Sequence, residues 1–119
     1  ETGIKPVTSA EELAACRAEI QSVKVSDEIL SYLTDLVRAT REHPLLILGC
    51  SPRAVVMLLL VSKTLAALRG KDYLGPDEVQ AMAPSAWRHR MVLRPEAEIE
   101  GQTPDDIIAA VLASVAVPR

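Results

Sequence analysis

The sequence is poor in aromatic residues. It contains no phenylalanine, one tryptophan and two tyrosines among 119 residues. Leucine, valine, isoleucine and alanine must therefore form the core, and an aliphatic core of this kind suits helices packed on helices. The length is enough for one domain and too short for two ordinary ones.

Potential metal ligands and disulfide partners are also scarce. The two histidines, His43 and His89, are far in sequence from the two cysteines, Cys16 and Cys50. Zinc sites in proteins use closely spaced ligands, so this pattern predicts no metal site. Two cysteines are too few for a disulfide framework, and we interpret both as reduced, small apolar side chains.

Long hydrophobic runs and a basic charge excess are absent as well. The longest unbroken apolar stretch, from Ala54 to Val61, is well short of the roughly 18 residues that a membrane span requires. No basic region followed by an apolar run marks a signal peptide. The net charge of −3 gives no general attraction for nucleic acid. We therefore expect a cytoplasmic protein with neither a membrane nor a nucleic acid as its partner.

Capping residues, prolines and apolar periodicity predict five helices in residues 9–119, preceded by a linker or cloning remnant in residues 1–8. The predicted third helix, from Ser51-Pro52 to about Arg69, is apolar almost all round and should be the buried central helix. Pro84 is predicted to end the fourth helix before Trp87. The predicted fold is thus a small all-α bundle that can include a short strand pair, with residues 91–93 as one brief strand; residues 45–48 form a short apolar run before Gly49. The five predicted helices start near Ser9, Ser26, Ser51, Gly75 and Thr103.

Two further expectations concern the first helix and a loop. Leu13, Cys16 and Ile20 recur at helical spacing and predict an apolar face on the first helix. Residues 94–102 are polar and are predicted to form a loop before the last helix.

Arg53 breaks a local electrostatic rule. The other four predicted helices carry acidic pairs in their first turns, where they complement the helix dipole. A cation at that position is unfavourable by roughly 0.3–1 kcal/mol. Either Arg53 is placed to bind an anion, together with the amides of the helix start, or it leans outward and pairs with a nearby acidic residue.

The stretch from Gly49 to Ala54, Gly-Cys-Ser-Pro-Arg-Ala, resembles the sensor 2 motif of MoxR-type AAA+ ATPases. Other parts of the chain resemble the same lid domain in the same order: the segments 37–41, 66–74 and 76–79, then His89-Arg90 and Leu93, and finally residues 115–118. The resemblance covers about residues 23–118. Cys50, Lys71 and Leu74 depart from the usual residues, and none of them replaces the arginine.

The resemblance implies an AAA+ C-terminal lid domain in which Arg53, Ser51 and Pro52 are nucleotide-binding residues. Arg53 would contact the γ-phosphate of ATP, in its own or a neighbouring subunit, and couple nucleotide state to the arrangement of lid and core. The implied parent is a ring-shaped, chaperone-like ATPase that uses ATP and Mg²⁺. Its implied partners are the ATPase core of the same chain, the neighbouring subunits and a von Willebrand factor A-type protein.

The catalytic motifs of such an ATPase are missing from this sequence. It has no glycine-rich phosphate loop ending in Gly-Lys-Ser/Thr and no acidic metal-binding strand end. We therefore expect a fragment that binds no cofactor and hydrolyses no ATP by itself. The alternative is a free-standing helical module for protein–protein interaction.

Other polar candidates have simpler interpretations. The basic cluster Arg88-His89-Arg90 could contact nucleic acid or an acidic face of a neighbouring subunit, but without interleaved aromatic residues it is better interpreted as a solvated turn. Asp105 and Asp106 are explained by the first turn of a helix, and the Ser51 hydroxyl by helix capping.

Overall fold

The computed structural model describes residues 3–118. Glu1 and Thr2 of the predicted linker, and Arg119, lie outside the described residues. Within residues 3–118, six helices and two short strands follow one another, which confirms the all-α bundle with a strand pair and adds one helix to the predicted five. None of the helices within residues 3–118 combines the length and the apolar composition that a membrane span needs. The elements are α1 (Ala10–Gln21), α2 (Asp27–Arg41), β1 (Leu46–Leu48), α3 (Pro52–Leu68), α4 (Pro76–Trp87), β2 (Val92–Leu93), α5 (Pro95–Ile99) and α6 (Pro104–Ser114).

Helix α3 is the central helix, as predicted, because α1, α2 and α4 all pack against it. Its buried residues recur every fourth position, at Ala54, Leu58, Ser62 and Ala66, and form one stripe along the helix. The prediction that α3 is buried all round is wrong. Three apolar residues outside the stripe are about half-exposed or more, since the neighbouring helices do not enclose the whole circumference: Val56 at 53%, Leu60 at 49% and Leu68 at 80%.

Pro84 lies inside α4 and does not end it, contrary to the prediction. A proline in a helix interior forfeits one backbone hydrogen bond. The continued helix carries Trp87 into the core, where its ring is fully buried and its Nε1–H donates to the carbonyl oxygen of Ala54 at 3.0 Å. Burial of this large side chain offsets the lost hydrogen bond.

The predicted apolar face of α1 is not buried. No residue of α1 is buried, Leu13 is half-exposed, and Cys16 is exposed. The predicted start is correct, because the Ser9 hydroxyl accepts a hydrogen bond from the Glu12 amide at 3.2 Å. The capping hydrogen bond therefore fixes the start of α1, and the helix packs on α3 without contributing a buried residue to the core.

Residues 94–102 contain the helix that the sequence prediction missed. Pro95 occupies the first position of α5, Ala97 is buried, and Gly101 ends the segment with a φ of 85°. Proline at the start and glycine after the end are ordinary helix signals. The acidic residues between them concealed the pattern, because only Ala97 faces the core.

The strand pair connects the segment between α2 and α3 with the segment between α4 and α5, which is distant in sequence. Strands β1 and β2 are antiparallel, with Leu46 opposite Leu93 and Leu48 opposite Val92. The amide of Arg94 extends the pairing to the Leu45 carbonyl oxygen at 2.9 Å. The loop before α3 is thereby brought beside the segment that follows α4.

Candidate functional site

The loop before α3, residues 49–51, is anchored on the last turn of α2 by Thr40. The Thr40 hydroxyl donates to the Val37 carbonyl oxygen at 2.7 Å and accepts from the Cys50 amide at 3.0 Å. Both Thr40 and Cys50 are fully buried. A buried hydrogen bond of this kind fixes the loop, since an unpaired buried amide is costly.

Gly49 allows the loop to approach the backbone of α2. A Cβ atom at this position would lie 2.5 Å from the Thr40 carbonyl oxygen and 2.6 Å from the Arg41 nitrogen. Contacts that short are not tolerated, so glycine is required here by space and not by an unusual φ. The close approach sets the point at which α3 begins.

The Cys50 side chain is part of the packing. Burial raises the pKa of its thiol, while its hydrogen-bonding partner Thr40 and the nearby positive charge of Arg90 act in the opposite direction. The thiol is therefore neutral at physiological pH and serves as a small apolar side chain, as predicted. Cys16 is likewise unpaired, but it is exposed and has no such role.

Arg53 is the second residue of α3 and is exposed to solvent. Among residues 3–118, no carboxylate pairs with it and no acceptor takes a hydrogen bond from it. The structure therefore gives no support to the alternative in which Arg53 pairs with a nearby acidic residue. Its guanidinium projects from a helix start that has no acidic residue in its first turn.

Ser51 occupies the N-cap position of α3, but its hydroxyl makes no capping hydrogen bond. The caps of α1, α2 and α6 do make such bonds, through Ser9, Ser26 and Thr103. Capping thus does not account for the Ser51 hydroxyl, which corrects the sequence interpretation. Pro52 follows at the first helical position, as predicted, and brings no amide donor.

The basic cluster 88–90 is divided between two environments and is not a uniformly solvated turn. Arg88 forms a bidentate pair with Asp105, with Nε and Nη2 each 3.1 Å from a carboxylate oxygen. His89 and Arg90 instead line a groove beside the loop before α3, together with Arg41. Asp105 lies in the first turn of α6, as predicted.

Sequence reasoning did not select Arg41 for this region, and it considered Arg90 as a binding candidate only as part of the basic cluster 88–90. Arg41 is the last residue of α2, and Arg90 follows α4 by three positions. They are 49 positions apart in the sequence, and the pairing of β1 with β2 brings their segments together. Only the tertiary structure reveals that both flank Ser51 and Pro52.

Comparison with known proteins assigns this arrangement to a family. The family model described as the AAA lid domain matches residues 38–111. The chain is 36% identical over 115 residues to a Bacillus subtilis protein named YeaC, covering 97% of this chain and 36% of that protein. It is 33% identical over 104 residues to the Mycobacterium tuberculosis protein named chaperone MoxR1, covering 80% of this chain and 28% of that one.

A solved structure gives the same result. A crystal structure described as a putative ATPase from Cytophaga hutchinsonii superimposes with a TM-score of 0.90 at 30% identity. The match covers 97% of this chain and 38% of that one, so the chain spans little more than a third of these relatives. The chain belongs to the AAA lid domain family and is the lid of a MoxR-like ATPase.

Proposed function

We propose that this lid senses the terminal phosphate of ATP bound to the ATPase that carries it, with Arg53 as the sensor 2 residue. The supporting observation is that Arg53 is exposed and has neither an ion-pair nor a hydrogen-bond partner among residues 3–118. A guanidinium at a helix start, where the free amides already favour anions, is suited to a phosphate.

The surrounding residues fit such a ligand. Ser51 lies two residues before Arg53, and its hydroxyl, which has no hydrogen-bond partner among the described residues, is available to a phosphate oxygen of the nucleotide. Bound ATP would supply the charge that makes these contacts favourable, and its Mg²⁺ would be held by residues of the ATPase core. A cation near the transferring phosphoryl group stabilises its negative charge, and the contact weakens when the γ-phosphate leaves.

The packing of α3 explains how this contact is transmitted. Trp87 holds the first turn through the Ala54 carbonyl oxygen, and Thr40 holds the preceding loop. Arg53 therefore moves with the body of the lid, and loss of its phosphate contact would change the angle between lid and core as a rigid-body motion. The nucleotide belongs to the same subunit or to a neighbouring one.

The wider proposal concerns the parent protein. We infer a cytoplasmic ring-shaped oligomer with chaperone-like activity, in which the lid contacts its own ATPase core and the neighbouring subunits. A relative carrying the name chaperone MoxR1 supports this inference. A von Willebrand factor A-type partner is part of the same proposal. The lid by itself is proposed to hydrolyse no ATP.

The test is the Arg53→Ala substitution in the full-length parent. ATP turnover should fall by about 100-fold, as observed when one transition-state donor is removed from other enzymes. Arg17→Ala is the matched control, because Arg17 is also exposed and without a side-chain partner among the described residues but lies on α1. Unchanged turnover in the Arg53 variant, with the lid still folded by circular dichroism, would contradict a sensing role.

A further inference from the structure

A groove beside the sensor 2 loop is lined by basic side chains and by no acidic ones. We call it the Arg90 groove. Its lining residues are Arg41, Leu48, Gly49, Cys50, Ser51, Pro52, His89 and Arg90. Arg53 is not among them, so its side chain and the groove are separate features of the same end of α3.

Arg90 carries an unsatisfied donor. Its Nε atom is buried and has no hydrogen-bond partner among residues 3–118, whereas its backbone amide donates to the Trp87 carbonyl oxygen at 2.9 Å. Buried guanidinium donors normally have acceptors, and leaving one unpaired costs about 1–3 kcal/mol. Arg90 lines the groove together with Gly49, Cys50 and Ser51, which places it beside the loop before α3.

Other arginines of the chain have acceptors for their side-chain donors. Arg69 and Arg88 each pair with a carboxylate within 3.1 Å, and Arg94 donates from Nε to the Pro44 carbonyl oxygen at 2.9 Å. Arg41 and Arg90 have no carboxylate partner among the described residues, although they share a groove. Two unneutralised guanidinium groups repel each other, so their common placement favours an anion from outside the domain.

We propose that the Arg90 groove binds a phosphate group, with Arg41, His89, Arg90 and the Ser51 hydroxyl as donors. Two guanidinium groups, an imidazole and a hydroxyl match the several oxygens and the charge of a phosphate. A carboxylate offers two oxygens and one charge, too few for this donor set. The assignment rests on the proposed function for one point, the source of the phosphate, which we take to be a second phosphate group of the sensed nucleotide.

The experiment is an NMR titration of the ¹⁵N-labelled 119-residue chain at constant ionic strength. The probes are inorganic phosphate, tripolyphosphate, Mg-free ATP and acetate. Phosphate and tripolyphosphate should shift the amide signals of Gly49 and Cys50 and the Nε–H signal of Arg90, with dissociation constants in the millimolar range. Acetate should bind at least 5-fold more weakly, because it satisfies fewer donors.

Variants assign the binding to the groove. Arg90→Lys removes the Nε donor and should weaken phosphate binding at least 5-fold, while the exposed Arg17→Lys control leaves it unchanged. Arg41→Gln serves as the second groove variant. Arg41 is exposed at the end of α2 and has no side-chain partner among residues 3–118, so its replacement does not threaten folding. The Arg41 variant should weaken binding in the same direction.

The outcomes separate this proposal from the sensing role of Arg53. Shifts with ATP and tripolyphosphate identify the nucleotide as the source, and shifts with inorganic phosphate alone identify free phosphate. Equal binding of acetate, no shift at about 20 mM tripolyphosphate (roughly 20 times a dissociation constant of 1 mM), or undiminished binding in both groove variants would overturn the assignment. If the full-length ATPase with the Arg53→Ala substitution kept its ATP turnover, the sensor role of Arg53 would be refuted, and the result for the groove would be unaffected.

Discussion

Replacing Glu78 with glutamine removes a buried negative charge that connects the end of α3 to the start of α4. The Glu78 side chain is 2% exposed and lies 2.9 Å from Arg69, after α3, and 2.7 Å from Lys71. Its Oε1 also accepts a hydrogen bond from the Gly75 amide at 3.2 Å, at the start of α4. One carboxylate thus fixes the turn between α3 and α4.

The magnitude follows from what each partner loses. Each hydrogen bond to a charged group contributes about 1.5–3 kcal/mol. Arg69 and Lys71 are 47% and 26% exposed, so water hydrates both cations when the charge is removed, and glutamine still accepts from Gly75. We therefore expect the free energy of unfolding to fall by about 2 kcal/mol, below the 3–5 kcal/mol typical of a charge left buried without its partner.

The effect depends on pH in a defined direction. Burial acts to raise the pKa of Glu78, but hydrogen bonds from Lys71, Gly75 and Arg69 outweigh it and hold the pKa below its ordinary value. The stabilisation is then complete above the ordinary pKa of a glutamate, about 4.3, and is lost as the pH falls through the folded-state value. The pKa of Lys71 is raised by its hydrogen bond to Glu78, so its contribution is lost only as the pH rises through that raised value.

Urea denaturation followed by circular dichroism tests both statements. At pH 7 the Glu78→Gln variant should be less stable than the unsubstituted chain, and the difference in the free energy of unfolding should shrink as the pH is lowered below about 4.3. Glu19→Gln is the matched control, since Glu19 is exposed on α1 and its carboxylate has no partner among the described residues. A difference that stays constant with pH, or no difference at pH 7, would refute the reasoning.

Two predictions concern the anchor of the loop before α3. Thr40→Val leaves the buried Cys50 amide without its acceptor and should lower the free energy of unfolding by about 1–3 kcal/mol. Thr40→Ser keeps the hydroxyl and should cost less, so equal urea midpoints for the two variants would contradict the anchor. Gly49→Ala places a Cβ against the backbone of α2 and should cost about 1–3 kcal/mol by forcing a backbone shift. A thermal unfolding midpoint equal to that of the unsubstituted chain would contradict the close approach of residue 49 to the backbone of α2.

Features that depend on neighbouring residues in the sequence could be predicted. The starts of α1, α2, α4 and α6 follow from a capping residue or proline with acids in the next turn, and the structure places all four where those signals lie. Arg53 was selected for the same reason, because it contradicts the pattern at the start of α3. The preference for acidic residues at helix starts and the exception at Arg53 can both be recognised from the sequence.

Features decided by tertiary packing could not be predicted. Pro84 is a helix-ending signal by itself, and only the burial of Trp87 against α3 explains why α4 continues through it. The apolar spacing in α1 predicts a buried face, but none of the residues of α1 is buried where the helix packs on α3. Arg41 and Arg90 carry no common sequence signal, because the groove exists only once β1 and β2 are paired.

The two ends of α3 differ in whether their positive charges have carboxylate partners, and this difference bears on function. At the C-terminal end, Arg69 and Lys71 are neutralised by a carboxylate that the chain buries for that purpose. At the N-terminal end, where the helix dipole makes a cation less favourable, Arg53 has no partner among residues 3–118 and no acid stands in the first turn. A chain able to neutralise one end could do so at the other. This contrast supports the proposal that another molecule or domain supplies an anion at the N-terminal end.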